Sequence, residues 1–393
     1  MTCLFCLTAQ RRLLLRDLER VRLPRRWRHW NSHPEEWHRL KSELFLPEEG
    51  RPLWRRFRVK QSIKIVQQLA KAKLAALILT TTFFGYVIAF PTPLSASSTT
   101  LQISHEEDAS PEEEALVPST KAVPAWWCLP GLLTGTALCV TAANTFNQWI
   151  EMPLDAQMAR TMSRPLVRGA VSPLAAFTFG ATASVLGTSL LAVTTNPTTT
   201  ALGFANILLY AACYTPMKRT NVANTWLGSL VGAIPPIMGW TAATGGEVEP
   251  GALLLGGILF AWQFPHFNAL SWNLKADYAK AGYRMLSVAN PTLCTRVALR
   301  YTLALFPITY LFYHFDVTGL DFVATASVLN VALLGGAITF HRQPTAKTSR
   351  KLFMRSLVHL PAYLVLLGAH RFWHEYRAEH PDQLRTIQKT LTL

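Results

Sequence analysis

Asn147, Glu151 and Asp155 follow one another at four-residue steps, at the end of an apolar run from Trp126 to Ile150. On a helix that spacing sets three oxygen ligands on one face. Arg160 and Arg164, themselves four apart, come next. Oxygen ligands followed by cations, at the mouth of a membrane segment, suit a Mg²⁺-bound polyphosphate. Hard Mg²⁺ takes carboxylate oxygens and keeps substrate phosphates in its shell, and arginine grips phosphate with two parallel bonds. A solvated charge face at the membrane surface is the competing reading. Pro153 costs a helix one backbone hydrogen bond and predicts a kink, so the one-face argument is firmest for Asn147 and Glu151.

Two further stretches carry polar groups at the ends of apolar runs. Residues 261–285 read AWQFPHFNALSWNLKADYAKAGYRM and hold Gln263, His266, Asn268, Asn273 and Asp277. His266 and Asn273 share a helix face if the helix survives Pro265, and Asp277 lies four residues beyond. This is a degenerate second copy of the Asn147–Glu151 arrangement, able to face it across a diphosphate. Asp277 also fits a loop acid paired with Lys275 or Lys280, and His266 a histidine hydrogen-bonded within a helix bundle rather than a metal or iron ligand. In residues 210–240, Lys218 and Arg219 could meet a phosphate or could simply set topology. Pro235-Pro236 predicts a broken helix, and Gly228, Gly232 and Gly239 a close approach by another helix or a large flat ligand. Trp149, Phe264, Phe267 and Trp272 could stabilise a carbocation or pack at the membrane interface.

These groups need a scaffold, and the composition says which kind. Half of the 393 residues are apolar and 16% are charged. Apolar stretches long enough to span a bilayer recur at about 74–90, 126–150, 169–194, 199–215, 224–244, 250–270, 297–315, 321–341 and 354–373. The fold class is therefore an all-α polytopic membrane protein with about nine transmembrane helices. The net charge of +15 is no sign of nucleic acid, because 18 of the 38 Lys and Arg precede residue 75 and most others sit in short loops. That pattern sets topology. It places the N-terminus, the 147–168 stretch, Lys218–Arg219 and the 263–284 stretch on one side. A transporter would gather its polar groups at mid-membrane instead.

Residues 1–60 interleave Arg11, Arg12, Arg16, Arg20 and Arg22 with leucines and read as a basic leader, a mitochondrial presequence, with a membrane-surface arm as the alternative. Residues 71–373 form the transmembrane domain. Within it, 95–122 is an acidic loop without periodicity, read as disordered, and 374–393 is a polar tail. The six cysteines have no disulfide spacing. Cys3 and Cys6 form a lone CxxC without a second pair, and Cys128, Cys139 and Cys213 read as small packing residues.

The pattern N-x-x-x-E-x-x-x-D-x-x-M-x-R-T-x-x-R-P-L at Asn147 to Leu166 resembles the first motif of the protoheme IX farnesyltransferase (haem O synthase) family. This is the haem-tail branch of the UbiA-type intramembrane prenyltransferases. YTPMKRTNVANTWLGSLVGAIPPIMGWTAATG from Tyr214 and WQFPHFNALSWNLKADYAKAGYRML from Trp262 resemble its other signatures. The likeness runs from about Lys71 to Phe372, and the basic leader matches the mitochondrial form. The resemblance implies the UbiA-type fold of nine helices around a central cavity. It implies transfer of farnesyl from farnesyl diphosphate to the 2-vinyl group of haem B, giving haem O and diphosphate. Haem B is then a substrate and Mg²⁺ the cofactor.

Carried onto this chain, the resemblance gives Asn147, Glu151, Asp155 and Asp277 as diphosphate–Mg²⁺ positions. It gives Arg160, Arg164, Lys218 and Arg219 as the matching cations, with Lys218, Arg219, His266, Asn268 and Asn273 toward the substrates. Glu151, where many wider relatives have Asp, is typical of the haem branch. A second motif with Asp277 beside Asn273 is poorer in Asp and leaves the number of metals open. The implied setting is the mitochondrial inner membrane, with the site facing the matrix. The implied partners are the bilayer, haem A synthase and other cytochrome c oxidase assembly factors. Prenylation of a quinone precursor, and a non-catalytic haem-binding or transport role, are the alternatives.

Overall fold

The structure, a computed structural model, describes residues 59–90 and 125–380. The presequence, the acidic loop and the CxxC pair lie outside the described residues, as does the tail beyond His380. The described chain is helical: α1 Val59–Ala70, α2 Ala72–Ala89, α3 Ala125–Asp155, α4 Pro173–Thr194, α5 Pro197–Leu208, a π turn Leu209–Tyr214, α6 Thr215–Thr220, α7 Asn224–Ala243, α8 Pro250–Asn273, α9 Lys275–Lys280, α10 Leu286–Ala289, α11 Pro291–His314, α12 Leu320–Arg342 and α13 Ala346–Glu379. Among the described residues, five helices are long and apolar enough to cross a membrane: α2, α4, α8, α12 and α13. Their outer faces fit lipid. Leu77, Val185, Val193, Val328 and Val358 are each more than 60% exposed, an apolar surface that water would penalise.

Consecutive long helices pack on one another, α3 on α4, α8 on α11, α11 on α12 and α12 on α13. Three longer-range pairings close the bundle, α2 against α7 and α13 back against both α8 and α2. The α2–α7 pairing explains why the expected break at Pro235-Pro236 is absent. α7 runs unbroken from Asn224 to Ala243 with both prolines inside. Gly85 of α2 leaves no Cβ to strike the Pro236 carbonyl, and Gly239 of α7 none to strike that of Thr82. The two backbones therefore lie in contact, and the packed neighbour offsets the bonds the prolines remove. Gly232 instead receives the Gln263 side chain and Gly228 the Tyr214 ring.

Pro153 does not break α3 either, and the helix carries Asp155 to its last residue. α8 likewise passes through Pro265 but stops at Asn273. The tail begins as helix, since α13 extends to Glu379. Cys213, read as a packing residue, is exposed, whereas Cys128 and Cys139 are buried.

Candidate active site

One face of α3 organises the site. Asn144 and Gln148, one turn apart, turn toward the end of α1. Gln148 Nε2 donates to the carbonyls of Gln68 and Leu69 at 3.0 and 2.8 Å, and Asn144 Nδ2 to that of Ala70 at 2.9 Å. These carbonyls belong to the last turn of a helix and have no partner within it. Ile65 and Leu69 bury α1 against Leu166 and Ala176. The chain then turns through Lys71, held in the left-handed region at φ 50°, ψ 55°, before α2 begins. That conformation costs an L-residue about 1–2 kcal/mol. Here it aims the ammonium inward, where Nζ donates to Asn147 Oδ1 at 2.6 Å.

The remaining groups converge on the same spot. Asn147 Nδ2 donates to Thr215 Oγ1 at 3.1 Å. Lys218 Nζ meets Glu151 Oε1 at 2.7 Å, and Arg164 lies 3.9 Å from Glu151 Oε2. Arg164 Nη1 also pairs closely with Asp155 Oδ2. The loop holding Arg164 folds back because Thr161 Oγ1 donates to the Asp155 carbonyl at 2.9 Å. Asn147, Glu151 and Asp155 are 1%, 4% and 0% exposed. Among the described residues, the buried Asp155 Oδ1 has no hydrogen-bond partner, a lone-pair site that a protein normally fills.

The π turn supplies the aromatic wall. Its extra residue per turn, a feature frequent at functional sites, brings Tyr210 and Tyr214 beside the cluster. Lys218 Nζ stands 4.5 Å from the Tyr214 ring centroid and Lys71 Nζ 5.9 Å from that of Tyr210. Above Asn144 and Tyr210 opens a cavity with mostly apolar lining from α2, α3, α5 and α7, including Leu74, Ile78, Val140, Ile207 and Pro235.

The sequence-derived residues separate into two groups. Asn147, Glu151, Asp155, Arg164 and Lys218 meet in one cluster, while Arg160 is exposed at its edge and Arg219 half-buried. The second motif does not mirror the first. α8 ends at Asn273 and Asp277 belongs to the separate short helix α9, so the helical face is not continued. Among the described residues no group of three or more His, Cys, Asp or Glu is assembled. The motif reaches the cluster through tyrosines instead. Tyr278 and Tyr283 pack with Leu154 and Met158, and Tyr283 has its phenol pKa pushed well up by burial and by the neighbouring Glu151 and Asp155. The Arg284 amide donates to the Lys218 carbonyl at 2.8 Å.

Asn268 is fully buried, and its Nδ2 donates to the Cys294 carbonyl at 3.0 Å, joining α8 to α11. His266 faces α13, with Nδ1 2.9 Å from Ser356 Oγ and its ring stacked on Trp262 at 4.5 Å. Of the four aromatics considered for a cation, Phe264 stacks on Tyr301 and Trp149 packs on Phe177. Phe267 joins the Tyr278 cluster, and Trp272 packs on Phe340. Sequence reasoning missed Lys71, Tyr210 and Tyr214. The available signal for Lys71 was the pair of amides, Asn144 and Gln148, on the same α3 face as Glu151.

Comparisons with known proteins agree on the family. The model of the UbiA prenyltransferase family matches residues 115–381. The chain is 44% identical over 303 residues to the mitochondrial protoheme IX farnesyltransferase of Homo sapiens, covering 77% of this chain and 61% of that protein. It is 42% identical over 278 residues to the protein of the same name from Saccharomyces cerevisiae, covering 65% and 59%. The chain thus spans about three fifths of the length of these curated relatives. Among solved structures it is similar to a digeranylgeranylglyceryl phosphate synthase, with TM-score 0.60 and 13% identity over 79% of this chain and 99% of that one. It is also similar to a UbiA homologue from Aeropyrum pernix K1, with TM-score 0.52 and 18% identity over 75% and 96%. At those identities the likeness is one of fold.

Proposed function

The chain belongs to the UbiA prenyltransferase family, and we propose that it transfers the farnesyl group of farnesyl diphosphate to the 2-vinyl group of haem B, with addition of water, giving haem O and diphosphate. The acceptor is argued from the two haem-named relatives and from Glu151 in the first motif. The observation that carries the chemistry is the convergence of Lys71, Arg164 and Lys218 with Glu151 and Asp155 at the mouth of an apolar cavity. The cluster recognises a polyanion and the cavity an apolar chain, the two halves of a prenyl diphosphate.

In the free protein the two carboxylates hold Lys218 and Arg164 in place. A diphosphate entering beside them gains both cations and Lys71, in a site shielded from water where such contacts are strong. Asn147, Glu151 and the unpartnered Asp155 Oδ1 form a donor set that fits Mg²⁺, with substrate phosphates completing its shell. When bound, the metal would neutralise charge on the departing diphosphate. Asp277 lies on the neighbouring short helix α9, next to the Tyr278 that packs beside the cluster.

Lys71, Arg164 and Lys218 stabilise the negative charge that builds as the allylic C–O bond breaks. The farnesyl cation left behind lies against the faces of Tyr210 and Tyr214. The terminal vinyl carbon of haem B attacks C1, forming the new C–C bond and moving the positive charge to the carbon next to the porphyrin. Water adds there and loses a proton, giving the hydroxyethylfarnesyl group.

The nine long helical stretches of the described chain, counting α5 to α6 as one, are taken as nine spans. The cluster then faces the matrix from the mitochondrial inner membrane. That places its product one step before the haem A synthase reaction, in cytochrome c oxidase assembly.

The test is a pigment extraction from a bacterium lacking its own haem O synthase and expressing this chain. A new haem, strongly retained on a reversed-phase column and with the mass of the hydroxyethylfarnesyl adduct, is the expected result. Haem B alone, from membrane-inserted protein supplied with farnesyl diphosphate and Mg²⁺, overturns the proposal and points to a quinone precursor as acceptor.

A further inference from the structure

A second group of cations lies along the start of α13, and we infer that it forms a binding site for a phospholipid whose headgroup carries two phosphates, a diphosphatidylglycerol. The site shares no residue with the prenyl-transfer cluster.

Lys347, Arg350, Lys351, Met354 and Arg355 fall at i, i+3, i+4, i+7 and i+8 along α13, so all five lie on one face. With Asn273, the last residue of α8, they line an open recess between the two helices. From Lys347 to Arg355 the row of cations extends about 12 Å at the helical rise. The sequence has no Asp or Glu between Asp321 and Glu375. Among the described residues, none of the four cations has a carboxylate within ion-pair distance.

Charges that only set topology belong at the end of a membrane helix. Lys347, Arg350 and Lys351 fit that role, because the apolar run of α13 begins at Leu352. Arg355 does not, since it lies one turn inside the run. Its side chain is laid sideways on α12, with Nη1 3.4 Å from the Ala332 carbonyl oxygen. Gly336 leaves room for it, since a Cβ there would come within 3.2 Å of Nη1. That carbonyl takes one of five guanidinium N–H groups, and a cation inside an apolar helix calls for a further partner. Met354 and Val358 continue the same face of α13 and are 47% and 70% exposed. Cations above an exposed apolar strip suit an amphiphile, its phosphates on the charges and its acyl chains on the strip. Four cations in a row of this length suit two joined phosphates better than one, and basic pockets between membrane helices hold such headgroups.

The test titrates the full-length protein, purified in a zwitterionic detergent, with diphosphatidylglycerol and with phosphatidylglycerol at equal phosphate, and counts bound lipid by native mass spectrometry. Wild type should retain one diphosphatidylglycerol per chain, about tenfold or more tighter than phosphatidylglycerol. Arg355→Gln should weaken that binding about fivefold, and Arg350→Gln with Lys351→Gln about 25-fold, the scale of one cation each at an anionic lipid surface. Arg350 and Lys351 are exposed, so their double variant decides the matter where Arg355→Gln fails to accumulate. Equal binding of the two lipids, or unchanged binding in the variants, overturns the site. Two competitors are added in turn. Release of the lipid by inorganic pyrophosphate would make this a free-anion site, and release by haem B a seat for the two haem carboxylates; either result overturns the lipid assignment. The readout is bound lipid, so it stands apart from which acceptor the prenyl-transfer cluster serves.

Discussion

Replacing Lys71 with glycine should nearly abolish turnover while leaving the fold as stable as before. The left-handed backbone at Lys71, φ 50°, relaxes by about 1–2 kcal/mol when the Cβ is removed. The substitution also removes a buried ammonium whose Nζ partners are the Asn147 amide and the Tyr210 hydroxyl, not a carboxylate. Burial first, then the like charges of Arg164 and Lys218, lower its pKa from 10.5 to about 7. Against these gains stand the greater unfolded-state freedom of glycine, about 1 kcal/mol, and one hydrogen bond to a charged group, about 1.5–3 kcal/mol. The opposing terms nearly cancel. Turnover loses a cation aimed at the departing diphosphate, which on the scale of a removed oxyanion donor is about 10²–10³-fold.

The pH dependence carries the sign. A lysine whose folded pKa lies below its unfolded value subtracts stability fully below about 7, and the penalty fades as pH rises toward 10.5. Wild type should therefore gain stability over that window relative to the glycine variant. Thermal unfolding in detergent at several pH values, with haem O output measured on the same preparations, checks both halves. Near-wild-type turnover, or a large loss of stability, would refute the reasoning.

Arg164→Ala strips from the buried Asp155 carboxylate its one side-chain partner among the described residues and leaves both oxygens unpaired. It should cost about 3–5 kcal/mol of stability along with turnover, whereas Arg164→Lys should recover much of the stability; thermal unfolding of the two variants separates these effects. Chelation with EDTA should stop haem O formation and Mg²⁺ should restore it. Restoration is to be measured with Lys218→Met alongside, which stays inactive at any Mg²⁺ level if the cation acts directly on diphosphate. Asn268→Ala should lower stability by about 0.5–1.5 kcal/mol by removing the side-chain hydrogen bond that joins α8 to α11. The KM for either substrate should stay the same if the residue only joins the two helices, which steady-state kinetics of the variant checks.

The apolar runs were legible because lipid demands long uninterrupted helices, and α2, α4, α8 and α12 fall close to where they were read, while α13 runs past both ends of its stretch. Asn147, Glu151 and Asp155 were legible as a four-residue repeat. What the repeat could not show is that Pro153 leaves the helix intact, so that Asp155 joins the face instead of falling past a kink. Pro235 and Pro236 were misread for a related reason: a proline costs only the bonds its neighbours fail to offset, and that neighbour is α2, which lies far away in sequence.

The second motif failed in the opposite sense. Its spacing copied the first, but α8 stops at Asn273 and Asp277 lies on the separate short helix α9, so spacing across a helix end does not define a face. Lys71 was missed because the amphipathic period of α1 ends at Ala70 and says nothing of where the chain turns next. Its position is set by Asn144 and Gln148, which lie more than 70 residues away in sequence. Those two amides hold the last turn of α1, and the next residues on the same stripe hold the cations. One face of α3 thus both builds the turn that delivers Lys71 and supplies the carboxylates that fix Lys218 and Arg164.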